Sequence, residues 1–409
     1  MRTRYGVPYW LDRYPKARQP SYPRLRGALD VEVAILGGGL TGCSTAYVFA
    51  AAGVRVALVE ANRIGQGGSA TCPGLLRLEP ALPFDTLKAR HGLRVARHLW
   101  QSFRRAGLDM AATIRRLRIR CELVPDAALR VGLGDGDERV LRREMASMRA
   151  AGVEGSWLTP ARLRQETGLT GSGAIRSAGD AFVDPYRAAL GLAAEAAKRR
   201  AQVFERTPVT RIRNGRKGVE LLTDSGVVRA ETVVVASHHP LQAFKPLRRH
   251  FDSREAFCVL TPPVPSFVRR EFGRSRAIVI DHEDPPHVLR RTSDERVLFL
   301  GADGPPAPAR VREKAMVQRA GQLMYELSKL YPAIAGTRPE YGWFVPVSVA
   351  ADGFVCIGPH RNYPRHLFAL GSGHNGIASA HLAARVLLRH YAGAPDKGDE
   401  LFGFARLLG

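Results

Sequence analysis

Three glycines near the N-terminus are spaced for binding a dinucleotide. Gly37, Gly39 and Gly42 stand in G-x-G-x-x-G spacing, directly after the apolar run 31–36. In such a motif the first glycine permits a tight turn and the second lets the backbone approach a pyrophosphate. The third lets the following helix pack closely on the sheet. The pyrophosphate would then face free N–H groups and the partial positive charge of a helix N-terminus.

The elements around these glycines are those of a nucleotide-binding β-α-β unit. The run 31–36 predicts a buried parallel strand, and Leu40 and Thr41 begin a small-residue helix with amides in reach of a phosphate. A second apolar strand, 54–59, ends in Glu60, where a carboxylate can accept hydrogen bonds from an adenosine ribose. An acid there would repel a 2′-phosphate, which argues against NADP. The unit leaves FAD and NAD both open.

A second glycine-rich segment follows at 63–76, with the sequence RIGQGGSATCPGLL. Together with the N-terminal pieces PYWLD (8–12) and YPRL (22–25), it resembles the FAD-dependent amine and amino-acid oxidoreductases of the D-amino-acid oxidase, glycine oxidase and sarcosine oxidase superfamily. In that family the segment wraps the ribityl chain and pyrophosphate of FAD. For this part of the chain the resemblance implies cofactor contacts at Ala61, Arg63, Gly67, Ser69 and Gly74.

The C-terminal part carries a further sign of this family. Residues 351–358 (ADGFVCIG) resemble a family segment, and 367–376 (LFALGSGHNG) is an apolar strand that runs into a second glycine-rich turn before a helix. The N-terminus of that helix, placed against the flavin N1 and C2 carbonyl, would stabilise negative charge developing there on reduction. The resemblance implies cofactor contacts here at Gly371, Gly373, His374, Asn375, Gly376 and Ile377, and in mid-chain at Val209 and Ala236.

The intervening sequence predicts a second domain, since alternating apolar runs over 255–346 are typical of an antiparallel sheet. The expected fold class is α/β (α+β overall), with a Rossmann-like FAD-binding domain and an interleaved antiparallel-sheet substrate domain. The predicted division is an extended N-terminal arm (1–30), an FAD-binding domain (31–85, 172–247 and 340–395), a substrate-binding domain (86–171 and 248–339) and a C-terminal tail (396–409).

The resemblance implies oxidation of the C–N bond of an amino acid or related amine, by hydride transfer to N5 of non-covalently bound FAD. A carboxylated substrate would need an arginine, because the planar guanidinium binds a carboxylate through two hydrogen bonds. The runs 287–291 and 297–301 predict two strands joined as a hairpin. Arg290 and Arg291 are adjacent on the first of these strands, so only one can face the flavin. The family tends to place an arginine on this hairpin, and Arg291 is predicted to be that residue. His374 is the second candidate catalytic residue, beside Asn375.

Two alternatives stay open at this point. One is an NAD-binding dehydrogenase, because the first glycine motif serves either dinucleotide. The other is a degenerate flavoprotein with a binding or subunit role. It gains weight from Ser237-His238, where the family has Thr-Gly, and from the apolar strand 345–347, where the family is more polar.

Composition sets the expected surroundings. The five cysteines are odd in number and scattered, which indicates a reducing compartment and no metal site, and the N-terminus lacks the apolar core of a secretory signal. No apolar run approaches the roughly 18 to 20 residues that cross a bilayer. We therefore expect a cytoplasmic protein with a small-molecule amine or amino-acid substrate.

The chain of 409 residues has a formal net charge of +23 at pH 7. Such a charge suits a nucleic-acid surface, an anionic membrane or an acidic ligand. Only eight of the 61 basic residues are lysine, and the arginines are interspersed with core residues. No specific nucleic-acid binding is therefore expected, whereas weak association with anionic membranes is allowed, and the oligomeric state stays open.

Overall fold

Two β-sheets of different type organise the chain in the computed structural model, which describes residues 3–283 and 285–407. One sheet contains the first glycine motif and is called the cofactor sheet. The other is mainly antiparallel and is called the substrate sheet. The resulting mixed α/β architecture confirms the predicted fold class.

The cofactor sheet is parallel at its centre. Its strands are β2 (Gly27–Leu36), β3 (Val56–Val59), β8 (Gln202–Phe204), β9 (Val209–Asn214), β10 (Val219–Thr223), β11 (Gly226–His238), β17 (Cys356–His360) and β18 (Tyr363–Leu370). The main path is β17-β18-β11-β2-β3-β8, with β10 joined to β11 and β9 to β10. Thus β2, which leads into the glycine motif, lies between β11 and β3.

The substrate sheet has ten strands among the described residues: β1 (Arg4–Tyr5), β4 (Leu75–Leu76), β5 (Val124–Gly132), β6 (Ser156–Leu158), β7 (Gly173–Phe182), β12 (Phe251–Leu260), β13 (Ile278–Ile280), β14 (Val288–Arg291), β15 (Val297–Gly304) and β16 (Tyr341–Ala350). Their order in the sheet is β1-β16-β12-β15-β14-β13-β5-β7-β4, and β6 pairs with β7. The hairpin predicted around residues 287–301 is present, because β14 pairs with β15 in antiparallel register.

Helices cover both sheets. They are α1 (Tyr9–Arg13), α2 (Leu40–Ala51), α3 (Gly68–Thr71), α4 (Phe84–Arg116), α5 (Asp137–Ala150), α6 (Pro160–Thr167), α7 (Pro185–Lys198), α8 (Ser266–Glu271), α9 (Arg312–Leu330) and α10 (Gly376–Tyr391). Short 3₁₀ turns occupy 16–18, 242–250, 309–311, 332–334, 399–402 and 404–407. The start of α7 is fixed by Asp184, whose carboxylate accepts a hydrogen bond from Arg187 N at 2.9 Å.

The two faces of β2 explain its continuous apolar sequence. Val33 and Ile35 pack into the core shared with α2 and α10, whereas Ala34 and Leu36 pack on the opposite face of the sheet. A parallel strand covered on both faces has no solvent side, so alternation is lost. Burial on both sides therefore holds the strand, and the turn that follows it, in one position.

The turn after β2 depends on direct backbone contact between glycines. A Cβ atom on Gly42 would lie 1.8 Å from the carbonyl oxygen of Gly37, and one on Gly37 would lie 2.6 Å from the carbonyl oxygen of Ala236. Gly37 also has a φ of +106°, which side-chain-bearing residues rarely adopt. These two glycines let α2 start directly against the strand ends.

Two details differ from the sequence expectations. The arm 1–30 is not extended throughout, because α1 is helical and buries Tyr9 and Trp10. In addition, β4, β7 and β16 fall within ranges assigned to the FAD-binding domain but pair in the substrate sheet. Their buried, partly alternating sequences fit either sheet, so the strand pattern alone could not assign them. The predicted domain boundaries otherwise remain a prediction.

Across the described ranges 3–283 and 285–407, no helix is both long enough and apolar enough to cross a bilayer. All five cysteines are free thiols, and four of them are buried.

The glycine contact predicts a large difference between two helical glycines. Gly42→Ala should destabilise the protein by about 3 kcal/mol or more, because the new methyl group meets backbone that cannot move freely. The matched control is Gly321→Ala in α9, where a Cβ meets nothing within 4 Å. That change should stabilise by up to about 1 kcal/mol. Urea unfolding of both variants checks this, and equal stabilities would contradict the packing described.

Candidate functional site

A cavity enclosing about 900 Å³ of empty space, partly open to solvent, lies at the N-termini of α2 and α10. We call it the cofactor cavity. Predicted cofactor residues from the first part of the chain that line it are Gly39, Leu40, Thr41, Ser69 and Ala236. Those from the C-terminal part are Gly371, Gly373, His374, Gly376 and Ile377. The fold therefore brings both glycine-rich turns to one cavity, although they are more than 300 residues apart in sequence.

The remaining predicted cofactor residues lie outside the lining of this cavity. Gly37 and Gly42 shape the turn behind it. Gly67 and Gly74 flank lining residues at the two ends of α3, and Asn375 precedes α10. The others are on the side toward β3 and β9: Glu60, Ala61, Arg63 and Val209. Their contacts with the cofactor remain predictions.

Two helix N-termini converge on the cavity. Gly39 precedes α2 and Asn375 precedes α10, and neither position caps its helix with a side-chain hydrogen bond. Uncapped amides at the start of a helix, with the helix dipole behind them, favour negative charge. The site thus offers two separate positions for anionic groups. One of the amides of α2, that of Leu40, already donates to Ser69 Oγ at 2.7 Å.

Glu60 is held beside the first glycine turn by two backbone amides. Its carboxylate accepts hydrogen bonds from Gly38 N at 2.6 Å and from Asn62 N at 2.7 Å. A second acid, the buried Glu205, similarly accepts hydrogen bonds from Ile64 N at 2.9 Å and from Tyr22 N at 3.2 Å. The two acids therefore fix the loop after β3. Glu205 was missed in the sequence because it lies in no recognisable motif.

His238 lines the cavity, and it belongs to the Ser237-His238 pair that the sequence marked as a departure from the family pattern. It has a φ of +68° at an irregularity in the pairing of β11 with β18, so a histidine occupies the left-handed conformation here without a glycine. Burial, with a smaller contribution from His239, lowers the pKa of His238 to about 4. The ring is therefore neutral at pH 7.

Several polar atoms at the cavity have no hydrogen-bond partner within the described part of the chain. They include His238 Nε2 and Ser379 Oγ, which belong to lining residues, and the neighbouring Ser348 Oγ and Asn375 Oδ1. Buried polar groups are costly unless they are paired. A polar ligand in the cavity would supply partners, so these atoms fit the FAD predicted from the sequence.

His374 lies at the cavity but is already paired. Its Nε2 lies 2.8 Å from Asp303 Oδ2, and the Asp303 side chain is almost completely buried. Asp303 is on β15, so this contact joins the substrate sheet to the turn before α10. The pair orients the histidine ring. A catalytic role for His374 remains a prediction.

The structure does not bring Arg291 to the cavity. Arg291 Nη2 donates to Ser275 O at 2.8 Å, and its neighbour Leu289, two positions away on the same face of β14, packs under α8 and α9. Arg290 points to the opposite face, where its guanidinium lies over the Phe182 ring. The expectation that Arg291 clamps a substrate carboxylate is therefore not supported. Alternation along a strand separates two neighbours, but it does not say which of them faces the cofactor.

The wall that the substrate sheet contributes is apolar. It consists of Val345, Pro346 and Val347 from β16. Among the described lining residues, the only titratable side chains are His238, His374 and Cys72, with no arginine, lysine or carboxylate. Burial raises the pKa of the Cys72 thiol to about 11, so this cysteine is protonated at neutral pH. The cavity can orient a ligand and exclude water, but it offers little acid–base chemistry.

A buried ionic cluster supports the turn before α10 and was also missed in the sequence. Arg77 lies 3.1 Å from Asp180 and 3.0 Å from Glu79, and Asn375 Nδ2 donates to Glu79 O at 2.5 Å. Burial opposes ionisation of Glu79, but Arg130 and Arg77 outweigh it and hold the Glu79 pKa below its usual value. These residues are scattered along the chain, so no local pattern could reveal them.

Comparisons with known proteins agree with this geometry. A family model described as FAD dependent oxidoreductase matches residues 32–389. Gamma-glutamylputrescine oxidoreductase of Escherichia coli (strain K12) is 24% identical over 92% of this chain and 87% of that protein. Glycine oxidase of Bacillus licheniformis is 25% identical over 90% of this chain and 95% of its own.

Among solved structures, glycine oxidase from Geobacillus kaustophilus has a TM-score of 0.74 and 24% identity. The match covers 92% of this chain and 98% of that chain. At this identity the likeness establishes the fold.

The neutral His238 predicts a dependence of stability on pH. Its folded-state pKa is lowered, so the folded protein binds fewer protons than the unfolded chain, and stability falls as the pH drops below about 6.5. His238→Gln should reduce the loss of unfolding free energy between pH 7 and 5 by about 2 kcal/mol. Urea unfolding at the two pH values measures this.

His287 provides a control, because its effect on the pH dependence of stability has the opposite sign. The pKa of His287 is raised, chiefly by its hydrogen bond to Asp281, so the protonated ring stabilises the folded state at low pH. His287→Gln should therefore steepen the loss of stability on acidification. If both variants change the slope in the same direction, the charge state assigned to His238 is wrong.

Proposed function

The chain belongs to the family of FAD-dependent oxidoreductases, and on that premise we propose that it oxidises the C–N bond of an amine or an amino acid. Its cofactor is FAD, so the NAD-binding alternative is not retained. The observation that supports the proposal is the cofactor cavity, in which both glycine-rich turns face an apolar wall of the substrate sheet. The names of the curated relatives point to the same substrate class.

The chain's own groups have separate tasks in this proposal. Bound FAD supplies the acceptor for a hydride. The N-terminus of α2 faces the pyrophosphate, and Glu60 holds the adenosine ribose, while the N-terminus of α10 stabilises negative charge on the ring system. The wall formed by 345–347 excludes water and orients the substrate. Hydride transfer needs little proton transfer by the protein, which suits a lining with few ionisable groups.

The charges of the lining residues also indicate which class of substrate the cavity favours. An α-carboxylate placed in the cavity would meet no arginine or lysine among the described lining residues. A buried carboxylate without a counter-charge is unfavourable. The proposal therefore favours a substrate that reacts as an amine, with no requirement for a carboxylate on the reacting carbon.

Non-covalent FAD gives the first prediction. The purified protein should be yellow, and acid precipitation should release the flavin into the supernatant, because the cavity offers only a protonated thiol at Cys72 as a cysteine nucleophile. Absorbance spectra of the pellet and supernatant check this. Flavin that stays with the pellet would show covalent attachment, and a colourless protein that FAD cannot reconstitute would remove the basis of the proposed function.

The second prediction concerns Glu60. Glu60→Ala should weaken FAD binding about ten- to hundredfold, because it removes a charged acceptor from the ribose and from Gly38 N. Glu60→Gln keeps one acceptor oxygen and should lose less. Titration of the apoprotein with FAD measures both dissociation constants. Equal affinity in all three proteins would place the ribose elsewhere.

The third prediction compares matched substrates. An anaerobic screen first identifies the amine that reduces the flavin fastest, and the α-amino acid with the same side chain is then tested. We expect the amine to react at least as fast, because no arginine or lysine among the described lining residues can pair with the carboxylate. A hundredfold preference for the amino acid would show that a cation outside the lining reaches the substrate. A flavin that no amine or amino acid bleaches would favour the degenerate flavoprotein.

A further inference from the structure

A second cavity, separate from the cofactor cavity, encloses about 640 Å³ of empty space beside the N-terminal helix α1. We call it the Arg290 cavity. Its floor is built from buried side chains: Tyr9, Trp10, Phe182, Arg290 and Thr292. Its rim consists of exposed residues from the loop before β5 and the turn between β14 and β15. The cavity is therefore a deep recess whose floor is aromatic and carries one charge.

The charge on the floor is uncompensated. Arg290 is only 3% exposed, and its Nε and Nη1 have no hydrogen-bond partner within the described part of the chain. Its guanidinium rests on the Phe182 ring. An arginine buried without hydrogen bonds is costly, because a cation that leaves water needs replacement partners. Its guanidinium N–H groups therefore still need partners, which a ligand in the recess would supply.

The acids around the recess do not supply those partners. Asp294 pairs with Arg13 at 3.1 Å, and Glu122 pairs with Arg187 at 3.1 Å. Asp126 has no ion pair recorded within the described residues, and its carboxylate accepts only the backbone amide of Ala127, at 2.9 Å.

Asp126 and Arg290 act on each other electrostatically across the recess, but they are too far apart for a salt bridge within 4 Å. Among the described residues that line the recess, Arg290 and Asp126 are therefore a cation and an anion without an ion pair.

We propose that the Arg290 cavity binds a zwitterionic α-amino acid, with the carboxylate on the Arg290 guanidinium and the ammonium group on Asp126. The two opposite charges of one small molecule satisfy both protein groups at once, which neither a simple anion nor a simple cation does. Tyr9, Trp10 and Phe182 form a floor that suits the apolar part of the molecule.

The Arg290 cavity shares a wall with the cofactor cavity. Trp10 Nε1 donates to Cys72 O at 2.8 Å, and Cys72 lines the cofactor cavity. A Cβ on Gly74 would lie 3.3 Å from Trp10 and 3.0 Å from Phe182, so the segment 72–74 fills the space between the two cavities. An amino acid in the recess would therefore bind next to the segment that encloses the cofactor, without entering the cofactor cavity.

Three molecules of nearly equal shape test the proposal by isothermal titration calorimetry on the holoenzyme. The zwitterion is 2-aminoisobutyrate, which has no hydrogen on its α-carbon and so cannot lose a hydride there. Pivalate replaces its ammonium group with methyl, and tert-butylammonium replaces its carboxylate with methyl. We expect 2-aminoisobutyrate to bind at least about tenfold more tightly than either analogue, because each analogue leaves one protein charge unpaired.

Variants place the binding site. Arg290→Gln and Asp126→Asn should each weaken binding of 2-aminoisobutyrate by about tenfold or more, and Arg290→Lys should recover part of the loss. The matched control is Arg55→Gln, because Arg55 is an exposed arginine that is paired with Glu32 and lies outside the lining of the recess. It should bind as the wild type does. Binding should also change the tryptophan fluorescence of the protein, because Trp10 lies in the floor, and Trp10→Phe should reduce that change.

The outcomes separate this proposal from the proposed function. Absence of binding, equal affinity for pivalate, or wild-type affinity in Arg290→Gln would each overturn the assignment of the recess, whatever the flavin does. Conversely, selective binding that requires both Arg290 and Asp126 would support it even if no amine reduced the flavin. Melting temperatures of the variants show whether each is folded. If Arg290→Gln does not fold, the affinity of Asp126→Asn and the comparison of the three ligands still test whether the recess binds the zwitterion.

Discussion

The architecture of the cofactor cavity depends on one close backbone contact, between the carbonyl oxygen of Gly37 and the α-carbon of Gly42. A single methyl group at Gly42 would approach that oxygen to 1.8 Å. Because the contact holds α2 directly on the end of β2, its first amides lie at the edge of the cofactor sheet. Ser69 then binds the Leu40 amide and fixes the glycine-rich segment across the helix start. Removing this contact would displace the start of α2 and the amides that it presents to the cavity.

The N-terminus of α10, from the C-terminal part of the chain, forms the other side of the cavity. The turn before α10 is held by Asn375 bonding to Glu79 and by His374 pairing with Asp303 of the substrate sheet. The polar support of the cavity thus lies behind its lining, while the lining itself is mostly backbone and apolar side chains. Such an arrangement binds a large polar cofactor through amides and leaves the reacting face dry, which favours hydride transfer over acid–base catalysis.

The sequence was sufficient for the fold class, the family and the two glycine-rich turns, because each of these depends on local spacing and on apolar runs. It was insufficient where function depends on long-range contacts. Glu79, Asp180 and Arg130 meet only in the folded chain, and His238 takes a strained backbone position where the family has glycine. The position of Arg291 outside the lining of the cofactor cavity could not be foreseen for a related reason. The facing of a strand is set by the layers packed on it, and its own four residues do not contain that information.

Hydrogen–deuterium exchange of the apoprotein and the FAD-reconstituted protein tests most directly whether the cofactor binds between the two helix starts. The structure predicts slower exchange on FAD binding at residues 37–42, 68–74 and 371–378, with little change in α9, on the far face of the substrate sheet. Unchanged exchange at both helix starts, with protection elsewhere, would contradict the site described here.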